Sequence, residues 1–176
     1  MNMRPSRAQI RFRATAGVIL PGAGETLFRN LGLPLLCQAQ ATDPDLGRSQ
    51  LSASVAFSGE RAVGTLAIFL PVELARRLLP TAVGSIEDWV GELANQLTGR
   101  LVNRLTMRGL VLRIATPTVR WCTWDRAAPQ ADALVWEFRL GDDVVWVAVS
   151  ATVDDGFCAG TPVSAGAIEG QLVVFQ

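Results

Sequence analysis

The sequence predicts an α+β domain, a mainly antiparallel sheet of about six strands with a long helix and a shorter helix packed on one face. Three features carry this. Ile86, Val90, Leu93, Leu97 and Leu101 recur at steps of three and four, the spacing of one helical face. Leu51–Phe57 and Val63–Leu70 read as strands joined by Ser58-Gly59-Glu60-Arg61-Ala62, and Leu134–Leu140 and Val144–Ala151 alternate around Gly141-Asp142-Asp143. The chain of 176 residues is 49% apolar, which suits a packed globule, read as a single domain over 1–176.

The elements follow in order. Ala8–Thr15 alternates through Ile10 and Phe12 and is expected to be a half-exposed strand. Val18-Ile19-Leu20, the turn-like run Pro21-Gly22-Ala23-Gly24-Glu25-Thr26-Leu27 and an apolar stretch reaching Asp43 imitate a dinucleotide-binding fingerprint. The match fails because Leu27 stands at the third glycine and any helix can span only Glu25–Asn30 before Gly32 and Pro34, so a short surface helix is expected. Asp43–Arg48 is a loop. Pro71 opens a helix over Val72–Leu79, which Pro80 ends. The long helix runs from about Ser85 to Met107, with Ser85 and Asp88 as a capping box and Gly109 as its stop. Leu110–Thr116 and Thr118–Thr123 read as strands on either side of Pro117, and Arg126–Ala131 as a polar loop. Thr152–Gly170 is rich in glycine and small residues, and Leu172–Phe175 closes the chain as a last strand.

Composition excludes several chemistries. Sixteen arginines balance sixteen acids and lysine is absent, so nothing marks a nucleic-acid or anionic-membrane partner. No apolar run approaches the ~20 residues that span a bilayer, and Met1–Arg13 is not followed by a signal-peptide core, so a cytoplasmic protein is expected. With no histidine, serine–histidine triads and histidine metal sites are ruled out. Cys37, Cys122 and Cys158 are odd in number and widely spaced, as buried thiols in a reducing compartment are. Trp89, Trp121, Trp124, Trp136 and Trp146 are expected to be core or interface anchors rather than a base-stacking platform, since no basic stripe accompanies them.

The long helix also has an unusual outer face. At about 100° per residue, Asn95, Asp88, Gly99, Glu92, Asn103 and Gln96 fall in one sector about 100° wide. Asp88 and Glu92 are a like-charged i,i+4 pair, unfavourable by a few tenths of a kcal/mol. Gly99 costs about 1 kcal/mol relative to alanine in mid-helix and bares the backbone. Glu92 and Asn95, one turn apart, can act on one object lying across the helix. Taken singly, each residue fits a solvated face with Asp88 as a cap. Together they predict a docking face.

The run Asp88-x-x-x-Glu92-Leu93-Ala94-Asn95-x-x-x-Gly99 resembles the signature of the CheX-like chemotaxis phosphatases, relatives of the CheC and FliY proteins. In that signature an acid or serine is followed by a glutamate four later, an asparagine three after that, and a downstream proline, here Pro117. Ser54–Gly59 with Gly64–Ile68 resembles the hairpin before the family's helix, and Leu112–Val119 the strand after it. The resemblance covers Leu51 to Ala151, with the family's N-terminal helix expected to be shortened to Gly24–Asn30.

The resemblance implies a CheC/CheX-like fold and hydrolysis of the aspartyl phosphate on a CheY-like response regulator. Asn95 would position the attacking water and Glu92 would pair with the receiver's lysine. Asp88, Trp89, Gln96, Gly99 and Asn103 would form the partner-binding surface. No metal or cofactor of the chain's own is implied, Mg2+ being expected on the receiver, and a homodimer through sheet edges is implied. The alternative is a catalytically silent interaction module of the same fold that docks a receiver domain or a motility partner.

Overall fold

The computed structural model describes residues 6–40, 50–81, 84–122, 132–154 and Phe157. They form α1 (Arg7–Asn30), β1 (Leu36–Gln40), β2 (Gln50–Ser58), β3 (Ala62–Pro71), α2 (Val72–Leu78), α3 (Ile86–Thr106), β4 (Arg113–Ile114), β5 (Thr118–Cys122), β6 (Leu134–Leu140) and β7 (Asp143–Val153). The seven strands make one sheet in the order β1-β6-β7-β3-β2, with β4 and β5 sharing the far edge of β2. Every pairing is antiparallel.

Alternation sorts the strands into two faces. Leu51, Ala53, Val55 and Phe57 of β2, Leu66, Ile68 and Leu70 of β3, and Val145, Val147 and Val149 of β7 point into the main core beneath α1 and α3. The registers Ala53↔Ile68 and Ile68↔Val147 keep those rows aligned. On the other face Phe69, Val144, Trp146 and Ala148 form a smaller buried cluster. The α+β class with helices on one face is therefore observed, with one strand and one helix more than expected.

The added helix corrects the reading of the N-terminal region. The strand expected over Ala8–Thr15 and the short helix expected over Glu25–Asn30 are parts of one helix of 24 residues. Ile10 and Phe12 suggested alternation, yet Ile10 is exposed while Ala8, Phe12, Thr15, Ala16, Ile19, Leu20, Ala23, Leu27 and Phe28 are buried at helical spacing. Ser6 caps the start, its Oγ accepting from the Gln9 N–H at 3.2 Å. Pro21 inside the helix costs about 3 kcal/mol. Burying five large apolar side chains at ~1.5–3 kcal/mol each outweighs it. Gly22 and Gly24 make no phosphate-cradling turn. Gly24 is where α1 meets β6, since a Cβ there would overlap the ring of Phe138, which packs edge-on against Phe28 with centroids 5.4 Å apart. The helix ends at Gly32, whose φ of 78° lets Leu33 N–H reach Phe28 O at 2.8 Å.

The remaining elements lie close to their expected places. β2, β3, β6 and β7 pair as two hairpins, the second turning at Gly141 with φ 59°. β1, which arises from the apolar run towards Asp43, pairs with β6 as the extra strand. The strand expected over Leu110–Thr116 is reduced to Arg113–Ile114. Ala115 N–H still reaches Ala56 O at 2.9 Å, but Pro117 has no N–H and breaks the edge into β4 and β5. The loops expected over Asp43–Arg48 and Arg126–Ala131, the stretch 158–170 of the glycine-rich segment and the strand Leu172–Phe175 lie outside the described residues.

Candidate docking and catalytic face

Helix α3 is anchored at both ends by the residues that predicted it. Ser85 Oγ accepts from Asp88 N–H at 3.0 Å, and Glu87 and Asp88 complement the positive end of the helix. At the other end Gly109, with φ 88°, lets its own N–H reach Thr106 O and Leu110 N–H reach Leu105 O. Ser85→Ala is expected to lower stability by about 1 kcal/mol, read as a shift in the urea midpoint with an unchanged slope.

Val90, Leu93, Leu97, Leu101 and Leu105 are buried in the main core with Ala94 and Thr98, whose hydroxyl donates to Ala94 O at 2.7 Å. On the outer face Asp88, Glu92, Gln96 and Asn103 are exposed, and Asn95 and Gly99 are half-buried. Six of the seven expected docking and catalytic residues thus share one face. Trp89 is the correction. It is 5% exposed and belongs to the main core, because its position on the wheel falls on the buried side of Glu92 and Gln96.

Three local features shape this face. Gln96 Nε2 donates to Glu92 Oε1 at 2.9 Å, so the carboxylate is held along the helix. Asn95 makes no side-chain hydrogen bond among the described residues, leaving its two donors and its acceptor oxygen available. Among the described residues nothing lies within 4 Å of where a Cβ on Gly99 would stand, so the backbone there is open to close approach.

The edge strands border one side of the helix, a feature the sequence reading did not identify. A Cβ on Gly91 would lie 3.3 Å from Val119 Cγ2 and 3.6 Å from Pro117 Cβ, so this glycine lets β5 pack against α3. One turn earlier, Trp121 Nε1 donates to Glu87 Oε1 at 2.8 Å. Gly91 and Asn95 are about 40° apart on the helix, which makes Asn95 the outer-face residue nearest that edge. A second mid-helix glycine four residues before Asn95 was the available signal.

The face is convex. A cavity lined by Ser58, Gly59, Glu60, Arg61, Gly109, Leu110, Val111 and Arg113 lies at the opposite end of α3 and shares no residue with it. Among the described residues no group of three or more Cys, Asp or Glu is placed to hold a metal ion. Cys37 and Cys122 are free thiols, half-buried where full burial was expected, and Cys158 lies outside the described residues. Burial, reinforced by Glu25, pushes the Cys37 thiol pKa up. No described helix is long and apolar enough to cross a membrane.

No protein-family model and no curated protein matches the sequence. Solved structures do match the fold. The chemotaxis protein CheX from Vibrio vulnificus aligns at 19% identity and TM-score 0.59, covering 81% of this chain and 99% of that one. CheX in the CheX–CheY–BeF3–Mg2+ complex from Borrelia burgdorferi aligns at 18% identity and TM-score 0.56, covering 73% and 92%. Thermotoga maritima FliY aligns at 16% identity and TM-score 0.55, covering 84% and 91%. The chain therefore has the fold of the CheC/CheX/FliY proteins. The N-terminal helix expected to be shortened is instead the full 24-residue α1.

Proposed function

We propose that the chain is a phosphatase for the aspartyl phosphate of a CheY-like receiver domain, docking through the outer face of α3. The observation that carries this reading is the disposition of Glu92 and Asn95, one turn apart on an accessible helix, the first steadied by Gln96 and the second without a side-chain hydrogen bond among the described residues. The fold shared with a CheX bound to CheY supports it.

In the reaction, water attacks phosphorus as the bond to the receiver's aspartate breaks, giving inorganic phosphate and the free carboxylate. The receiver supplies the phosphoryl group, its Mg2+ and its lysine. Asn95 contributes one carboxamide, whose acceptor and donors hold the water in line with the breaking bond. Glu92 pairs with the receiver's lysine and sets the register between the proteins, while Asp88, Gln96 and Asn103 form the polar surround and open Gly99 admits the partner. Such positioning supplies several kcal/mol, with ~7–11 as the upper range for well-oriented groups. A homodimer joined through a sheet edge belongs to the same proposal and is read by light scattering.

The test is the decay of phosphorylated receivers from the same genome, with and without the protein. Faster loss of phosphate from one of them is expected. Binding without acceleration would instead favour the silent docking module. Glu92→Gln is expected to raise KM for that receiver about tenfold and to flatten its dependence on salt, because a charge pair has been removed while the side-chain size is kept.

A further inference from the structure

We infer that Trp121 and the adjoining edge strand form an apolar anchor for the receiver, beside the polar face of α3. This rests on the phosphatase reading and adds a binding determinant to it. Trp121 is 52% exposed, a large aromatic surface left in water at the sheet edge. It is also held in place, its indole N–H donating to Glu87 Oε1 at 2.8 Å across the gap from β5 to α3. A ring already fixed loses little freedom on binding, as suits an interface anchor.

Its position connects it to the proposed site. Trp121 is paired in register with Leu51, and Val119 with Ala53, both core-facing, so this row of β5 lies on the helix side of the sheet. Pro117 and Val119 continue the row, half-buried against Gly91, one turn before Asn95. Trp121, Val119 and Pro117 thus make an uncharged row along the edge of α3 that carries Gly91, bordered at Trp121 by the Glu87 carboxylate. Because this row lies against α3 at Glu87 and Gly91, it is continuous with the face proposed to dock the receiver, and one partner laid across that face covers both. On the other flank the corresponding aromatic, Trp89, is in the core.

The test measures binding of the receiver identified above, loaded with beryllofluoride and Mg2+, to wild type, Trp121→Ala, Trp121→Phe and Glu87→Gln, alongside steady-state dephosphorylation. Trp121→Ala is expected to weaken binding and raise KM by about tenfold or more. Its rate at saturating receiver should change less than twofold, the inverse of a catalytic lesion. Trp121→Phe, which keeps a ring but loses the bond to Glu87, should fall between, while Glu87→Gln, whose amide oxygen still accepts from the indole N–H, should stay close to wild type. Unchanged affinity in a folded Trp121→Ala would overturn the inference and leave the phosphatase reading standing. A change in oligomeric state with unchanged receiver affinity would overturn it too, assigning the ledge to a second copy of the chain. If wild type neither binds nor dephosphorylates any receiver, the phosphatase reading itself falls, and the anchor with it.

Discussion

Asn95→Ala is expected to reduce the acceleration of receiver dephosphorylation by about 100-fold or more while leaving the melting temperature within roughly 2 °C of wild type. The two halves of this outcome have separate physical causes. Asn95 has no internal hydrogen bond among the described residues, so its removal strands no buried partner. Alanine is also the better helix former, by a few tenths of a kcal/mol. The rate, by contrast, depends on a carboxamide that holds water in line, which a methyl group cannot do. Asn95→Asp keeps the size but brings a negative charge towards a phosphoryl group, so it should not restore activity. If Asn95→Ala instead unfolds the protein, Asn95 is a structural residue and the docking-face argument fails. Binding of a beryllofluoride-loaded receiver should survive Asn95→Ala, separating it from the anchor variants.

Phe138→Ala is expected to destabilise the protein by about 3–5 kcal/mol, lowering the melting temperature by about 10 °C. Phe138 is completely buried, meets Phe28 edge-on at 5.4 Å and fills the space left by Gly24. Truncating it opens a cavity between α1 and β6 that the helix cannot close, because Gly24 has no side chain to move into it. Far-ultraviolet circular dichroism at increasing temperature reads the effect. A loss below about 1 kcal/mol would show that α1 is not docked on β6 through this contact. Phe138 is buried between α1 and β6 and is no part of the exposed face of α3, so the folded fraction should retain its affinity for a receiver.

Much of the fold was legible because its signals are local. The hairpins β2–β3 and β6–β7 show period-two alternation on either side of a turn, and α3 shows a helical stripe between a serine cap and a glycine stop. Helix α1 was misread because its local signals conflict. Pro21 and four glycines (Gly17, Gly22, Gly24 and Gly32) look like breaks, and only Gly32 is one. Its helicity is sustained by burial against β6 and β7 and by contact with α3, which no local window contains. The proposed site divides in the same way. Asp88, Glu92, Asn95, Gln96, Gly99 and Asn103 lie on one helix and could be grouped by spacing alone. Trp121 on β5 and Pro117 just before that strand lie far along the chain from the helix residues they approach, and Trp89 needed the real depth of the core to be placed.

By itself, the sequence determined the α+β class, the two hairpins, the limits of α3 and the grouping of polar residues along its outer face. Each follows from the period of side chains along a single helix or strand. The tertiary structure decided that α1 is continuous, that Trp89 is buried, and that the edge strand brings Trp121 to Glu87 and Pro117 to Gly91. These depend on which surfaces meet, and burial against a distant element can outweigh a local break of ~1–3 kcal/mol.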